Sequence, residues 1–535
     1  MTRENGPDRP GFHTVKTVID IGNDKIKGII GEMTYAGADS LPGVSILKYV
    51  EIPGSGMEKS EITDELSLSA VIARTLENLK INDGPVEKVT LGLGGTAFRT
   101  ARKNGLTIAF DEREITEKEI EDFYEAAERE LLKPGDRVVH REMYNIKVSD
   151  DNKTIPSPLG RKSSQLRADV YFVYMEEALC RRYERLMKKI PDGPEIEDVM
   201  ANGYAAAMAT LRNEDKTNGV VLVDIGEGST DIVMFKYNRL LFFDSFKLGT
   251  MHFVMDLCSL PEYINYIEQE KRCTQSVINK KYAREFYDMY LRGEIGDNKM
   301  YARDGVACRG EYVRNIIELR CEQLAREIKD RVPELKGGFR GIVLTGGGAR
   351  VPGVAEKIRT ITKYPVKASL PVRINGLTEV NERMSAVIGL FGEAIEKAFE
   401  TIRRTEAPKV AETPETTGDV KPEAASAASA DYPEKAPEPA ADAQAVRETT
   451  ETPTKEVFLP PDPIPPVTEP PAGSGETAAD PAKVSDEEDE KFRTLLSGEA
   501  VAEKKTEKDT GGDGKEKIGQ KLKDWWKRFA ENYKA

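Results

Sequence analysis

The stretch Val223–Asp231 reads VDIGEGSTD, and an earlier stretch, Val18–Lys25, reads VIDIGNDK. A third, VLTGGGA, occupies Val343–Ala349. Each follows an apolar, strand-like run and places glycines where the backbone turns tightly and approaches a ligand closely. The first two set an aspartate beside those glycines, Asp224 and Asp20. A glycine turn bares N–H groups to phosphate oxygens, and a nearby Asp holds Mg²⁺ through its waters. The two loops read as copies of one device, so the chain reads as two related halves facing one nucleotide.

The flanking residues repeat as well. Val15–Ile21, Lys25–Glu32 and Gly43–Ile52 read as three successive strands with Asp20 at the first turn. Gly219–Ile225, Asp231–Lys236 and Arg239–Lys247 repeat that layout around Asp224. This is duplication of a domain-sized unit, not a short solenoid repeat. Helical patterns follow in both halves, at Thr63–Lys80 and Glu311–Arg331. Between the halves, Glu87–Glu176 reads as a compact α+β insert. Thr116 and Glu119 form a capping box, and Ile120, Phe123, Tyr124 and Ala127 line one face of the helix it opens. Strand-like runs flank that helix at Val89–Leu93, Leu106–Phe110, Val138–Val148 and Ala168–Tyr174. Residues 251–310 are rich in Tyr and Cys, weakly periodic, and expected to be mostly helical.

Composition narrows the function classes. The chain has 535 residues, 39% of them hydrophobic, with a formal charge of −14. Residues 405–514 carry about −15 of it and residues 515–535 about +4, so the remainder is nearly neutral. Nothing there resembles a nucleic-acid-binding stripe, and no nucleic-acid partner is expected. The five cysteines are scattered without a CxxC, as expected of reduced thiols in a cytosolic setting. The three histidines form no metal-ligand pattern. The N-terminal MTRENGPDRPG lacks the apolar core of a signal peptide. No run approaches the ~18–20 apolar residues of a spanning helix, so membrane contact is expected from the side.

Order is expected to stop near Thr405. From there to Gly514 the chain is Ala, Pro, Glu and Thr, too polar to offset its ordering entropy. It reads as a solvated acidic tether with two islands, at Val457–Pro466 and Ser485–Leu496. The last stretch, Lys515–Ala535, reads KEKIGQKLKDWWKRFAENYKA. Ile518, Leu522, Trp525, Trp526, Phe529 and Tyr533 fall on one helical face, framed by Lys521, Lys527, Arg528 and further lysines. A large apolar moment, an aromatic face and basic flanks mark a helix lying in an anionic lipid interface.

DIGNDK, DIGEGSTD and LTGGGA, in this order and at this separation, resemble the phosphate-1, phosphate-2 and adenosine loops of the actin/Hsp70/hexokinase superfamily. KVTLGLGGTAFRT, EITEKEIEDFYEAAE, VVHREMYNIKV, IPSPLG and the C-terminal amphipathic segment narrow the resemblance to the FtsA family of bacterial cell-division proteins. It covers roughly Thr14–Glu400 and the final helix. It implies an α/β, duplicated actin/Hsp70-like fold with an α+β insert domain, followed by a disordered tether and an amphipathic helix. Subdomain 1A would span 14–86, completed by about 177–195 and 385–402. The insert, 1C, would span 87–176, subdomain 2A 196–250 and 311–384, and 2B 251–310. The tether would run over 405–514 and the membrane helix over 515–535.

The resemblance also implies a function. It is that of a peripheral protein on the cytoplasmic face of the inner membrane at the division septum. Such a protein binds ATP and Mg²⁺, polymerises with itself, and anchors the tubulin-like FtsZ ring through the FtsZ C-terminal peptide. It also docks later division proteins. Asp20, Gly22, Asn23 and Lys25 would lie on the phosphate-1 side. Asp224, Gly226, Gly228, Ser229 and Thr230 would lie on the phosphate-2 side, with Gly346, Gly347 and Gly348 beneath the adenosine. Asp20 and Asp224 would serve as the magnesium-side carboxylates.

Three departures stand out. Glu227 replaces a family glycine, placing a carboxylate where it either repels a triphosphate or reaches for the metal. The segment that contacts the ribose in the family is not recognisable after residue 250. NGYAAAMATL, Asn202–Leu211, offers no Gln or acid to orient water, so at most weak ATPase activity is expected. The alternatives are a PilM-like pilus-assembly adaptor and a small-molecule kinase of the same superfamily.

Overall fold

A computed structural model describes residues 12–35, 42–82, 84–148, 153–258, 264–265, 280–303, 306–332 and 338–406. The tether and membrane-helix readings beyond Glu406, including Ile518, Leu522, Trp525, Trp526 and Phe529, lie outside the described residues.

Two five-stranded sheets carry the fold. In the first, the hairpin partners Phe12–Ile21, Lys25–Tyr35 and Gly43–Pro53 are antiparallel. On its other side Phe12–Ile21 pairs parallel with Lys88–Leu93, which pairs parallel with Glu195–Ala201. The second sheet repeats the same order and senses. Val220–Ile225 is central, antiparallel to Thr230–Lys236 and then Arg239–Phe246, and parallel to Ile342–Thr345 and then Val366–Ala368. This is the duplicated actin/Hsp70-like α/β fold. The central strands read as unbroken apolar runs because both faces of a parallel strand are covered. Val220, Val221, Leu222, Val223 and Ile225 are accordingly all buried.

Helix Ser385–Glu406 packs back on Phe12–Ile21 and crosses helix Asn202–Thr210. The crossing is close: a Cβ at Gly389 would lie 1.7 Å from the Ala205 carbonyl oxygen. Around it Val18, Met33, Met200, Ala205, Val387 and Phe391 form one core cluster.

The insert is a three-stranded antiparallel sheet with Lys162–Glu176 between Phe98–Glu114 and Asp136–Lys147, covered by helix Glu117–Leu131. The Thr116/Glu119 capping box is formed, and Phe123 and Ala127 are buried beneath the helix with Leu166, Val170 and Phe172.

Two sequence boundaries move. Lys88–Leu93, read as part of the insert, is the fourth strand of the first sheet. Its VTLGL run is buried throughout, the mark of a central parallel strand, whereas the insert strands alternate. Glu195–Ala201, read at the start of the second half, closes the first sheet, so the second begins at Val220. Residues 251–310 are not purely helical. Helices Thr250–Cys258 and Lys280–Leu291 accompany a small sheet of Ile264–Asn265, Met300–Arg303 and Val306–Arg309.

Candidate functional site

The two equivalent hairpins face each other across a narrow cleft of about 130 Å³. Their registers match position for position, but the residue that faces the aspartate differs. In the first, Asp20 lies directly opposite Lys27. In the second, Asp224 lies directly opposite Asp231. One half therefore presents a compensated pair and the other two carboxylates.

Asp20 is 2% exposed. Lys27 Nζ donates to its Oδ2 at 2.8 Å and Asn202 Nδ2 to its Oδ1 at 2.8 Å. Burial works against the charge of Lys27, but the Asp20 carboxylate outweighs it and holds the ammonium above its ordinary value. Among the described residues no cation is hydrogen-bonded to Asp224, although Lys27 lies near enough to oppose its shift. Burial, with Asp231 and Asp20 nearby, pushes it up to about 8. Burial likewise pushes Asp231 up to about 6, although Ser245 Oγ donates to it at 2.6 Å and the N–H groups of Gly203 and Gly95 also bond it.

A carboxyl raised in the folded state binds its proton more tightly there than in the unfolded chain. Its contribution therefore favours folding at low pH and is lost as pH rises through the folded value. The melting temperature of the nucleotide-free protein is expected to fall from about pH 4, the ordinary carboxylate value, to about pH 8, with Asp231 contributing only up to about pH 6 and Asp224 over the whole span. Asp224→Asn is expected to flatten that fall. A wild-type profile that rises over the window would contradict this assignment.

The glycines are structural as well as open. A Cβ on Gly228 would meet Asn23 Nδ2 at 2.1 Å, so the two hairpin loops touch. Gly346, at φ +81°, would press a Cβ to 2.1 Å from Asp224 Oδ1, and its left-handed backbone favours glycine in any case. Asn23 Oδ1 accepts from the Ser60 N–H at 3.0 Å. Its buried Nδ2 has no hydrogen-bond partner among the described residues. An unspent buried donor between two glycine turns suits an anion.

Asp20, Gly22, Asn23, Lys25, Asp224, Gly226, Gly228, Ser229, Gly346 and Gly347 all line the cleft. Two expected residues do not. The Thr230 hydroxyl is fully buried and donates to the Leu248 carbonyl at 2.6 Å. Gly348 packs against Ile225, where a Cβ would lie 2.1 Å from its side chain. Lys25 is tied to Glu51, and Lys27 takes the place beside Asp20.

Lys27, Ser60, Asn202, Asp231 and Arg383 also line the cleft without having been read as site residues. Lys27 was findable: in a strand, residues two apart share a face, so Lys27 follows Lys25 inward. Ser60, Asn202 and Arg383 come from distant segments and carry no local signal. Glu227 does not stand free but is ion-paired with Arg284. Arg284 lies on helix Lys280–Leu291, which lines a second space with Tyr287 and Asp288, next to Gly347 and Arg383. That space shares Asp24, Lys25, Thr250, Gly347 and Arg383 with the first. A side wall is thus present where no ribose segment was legible.

Among the described residues no group of three or more His, Cys, Asp or Glu side chains converges closely enough to hold a metal ion. The donor set fits a magnesium ion that arrives with phosphates and is reached through water, not one held in a protein cage.

Residues 99–174 match the family described as the SHS2 domain inserted in FtsA. The chain is 25% identical to the cell division protein FtsA of Pseudomonas aeruginosa over 396 residues, 71% of this chain and 89% of that protein. It is 25% identical to that of Bacillus subtilis over 361 residues, 66% and 78% of the two chains. The chain resembles the FtsA cell-division proteins. The likeness to FtsA of Escherichia coli is 21% over 391 residues, 70% of this chain and 88% of that one. Similar solved structures include a PilM–PilN type IV pilus biogenesis complex, at 15% identity and TM-score 0.45, covering 71% of this chain and 98% of that one. MreB5 of Spiroplasma citri bound to ADP is similar at 15% identity and TM-score 0.39, covering 72% and 98%. Among the described residues no helix is long and apolar enough to cross a membrane.

Proposed function

We infer that this FtsA-like chain is an actin-like cell-division scaffold that binds adenine nucleotide with Mg²⁺ and assembles into filaments. It holds the C-terminal peptide of FtsZ through residues 251–310, docks later division proteins on the insert, and lies on the cytoplasmic face of the membrane through Lys515–Ala535. One observation carries the nucleotide part. Two hairpins of matched register bring Asp20, Lys27, Asp224 and an unspent Asn23 amide onto one glycine-lined cleft.

Asp20, Asp224 and Asp231 would hold the waters of the magnesium ion, which neutralises the phosphate tail when bound. Lys27 and the loop N–H groups would orient that tail, and Gly346 and Gly347 would let the nucleoside lie close. Turnover is proposed to be slow. Asp231 is already bonded by Ser245, Gly95 and Gly203, and the Asn202 amide, which donates to Asp20, cannot take a proton from water.

The test is co-sedimentation of the full chain with anionic vesicles, with and without Mg-ATP, together with retention of the FtsZ C-terminal peptide. Nucleotide-dependent pelleting and peptide capture by the same protein are expected. Absence of both overturns the scaffold reading, and robust steady-state phosphate release lost in Asp224→Ala overturns the slow-turnover reading.

A further inference from the structure

Glu227 and Arg284 form an ion pair from the phosphate-2 turn to helix Lys280–Leu291. Their side chains are 12% and 31% exposed. Glu227 lines the phosphate cleft, while Arg284 lines the adjoining space. The pair therefore stands at the boundary between the two, where a ligand lying in both must pass.

The turn that carries Glu227 is rigidly seated. The Thr250 and Met251 N–H groups donate to the Gly226 and Glu227 carbonyls at 3.0 and 2.9 Å. A Cβ on Gly249 would lie 2.3 Å from the Glu227 carbonyl oxygen. The Glu227 backbone is thus fixed at the cleft, and its carboxylate is engaged by Arg284. Burial and the neighbouring Asp24 both disfavour its charge, and Arg284 opposes them.

We propose that Arg284 is a specificity-determining counter-charge that cancels Glu227, so that the cleft accepts a polyphosphate that Glu227 alone would repel. The inference rests on the cleft being a nucleotide site and deepens that reading. Like charges a few ångströms apart in a half-buried cleft interact strongly. Removing one partner of such a pair leaves the other charge uncompensated. The repulsion grows with the number of ligand charges, so the effect must rank ATP above ADP and spare adenosine. If Glu227 is removed instead, Arg284 is freed to face the phosphates. The pair then sets affinity below what a glycine at position 227 would allow, keeping the nucleotide exchangeable.

The test is calorimetric titration of the full chain with Mg-ATP, Mg-ADP and adenosine for wild type, Arg284→Gln, Glu227→Gly and the double variant. Arg284→Gln is expected to weaken ATP binding by about tenfold or more, ADP binding less, and adenosine binding not at all. Glu227→Gly is expected to tighten ATP binding several-fold, and the double variant to return near wild type. Ligand-free melting curves identify a variant that has merely lost its fold, and the Glu227→Gly titration then decides the matter. The inference is overturned if Glu227→Gly weakens ATP binding, or if Arg284→Gln affects adenosine as much as ATP. Failure of wild type to bind any of the three ligands would instead remove the nucleotide reading itself.

Discussion

Lys27→Ala is expected to abolish measurable Mg-ATP binding and to destabilise the fold by about 3–5 kcal/mol, the cost of stranding one partner of a buried ion pair. The Lys27 side chain is only 13% exposed and that of its Asp20 partner 4%. Without Lys27, Asp20 keeps a single side-chain donor, Asn202. It then faces Asp224 and Asp231 with no cation between them, in the cleft proposed to receive a polyphosphate. Two roles are therefore lost at once, and a second variant separates them. Lys27→Ala with Asp20→Asn removes the stranded charge. It is expected to recover most of the thermal stability while leaving ATP binding absent. Calorimetry and melting curves on both variants check this. ATP binding that survives Lys27→Ala would make the lysine a purely structural partner of Asp20 and leave the cleft without its principal phosphate cation.

The contrast between Lys27 and Lys25 shows what was legible. The duplication was open to inspection because it is written locally. Three apolar runs and one Asp-Ile-Gly turn recur, and the backbone can meet those requirements in few ways. The loops then find their cleft-lining glycines without tertiary information, as Gly22, Gly226, Gly228 and Gly346 do. Thr230 was misread because strand alternation turns its hydroxyl away, toward the Leu248 carbonyl. Lys88–Leu93 was misplaced because its neighbours in the sheet, Phe12–Ile21 and Glu195–Ala201, lie far off in the chain. Asn202 and Arg284 were invisible for the same reason. Their partners, Asp20 and Glu227, lie 182 and 57 residues away in the chain.

The asymmetry between the halves was also unreadable until register was known. VIDIGNDK and VDIGEGSTD look like one motif twice. Yet the position across from the aspartate is Lys27 in one and Asp231 in the other. That single difference makes one side of the cleft self-compensating and leaves the other in need of a cation. Burial first, and then the facing Asp231, push Asp224 up to about 8. Mg²⁺ affinity in the presence of nucleotide should accordingly rise with pH toward that value, because a protonated Asp224 offers no charge to the ion.

Trp525→Glu together with Trp526→Glu is expected to remove vesicle binding altogether. The prediction rests on the sequence of Lys515–Ala535, which holds both tryptophans of the chain. Each large side chain contributes about 1.5–3 kcal/mol when fully buried, and less when half inserted. Each near-surface Lys or Arg adds about 1 kcal/mol on anionic lipid. After the cost of folding the helix, micromolar binding, about −8 kcal/mol, is the expected scale. Losing two aromatic anchors forfeits about 3 kcal/mol or more, which is roughly a hundredfold or greater. The two new carboxylates also cancel two basic charges. In the filaments proposed above many such segments would bind at once, and that multiplicity would mask a weakened anchor. The comparison therefore belongs at concentrations where the chain is monomeric, on both anionic and neutral vesicles. Wild type should bind the anionic vesicles and leave the neutral ones largely bare, and the variant should bind neither. Undiminished binding by the variant would show that Lys515–Ala535 meets a protein groove or the chain's own core, with lipid held elsewhere.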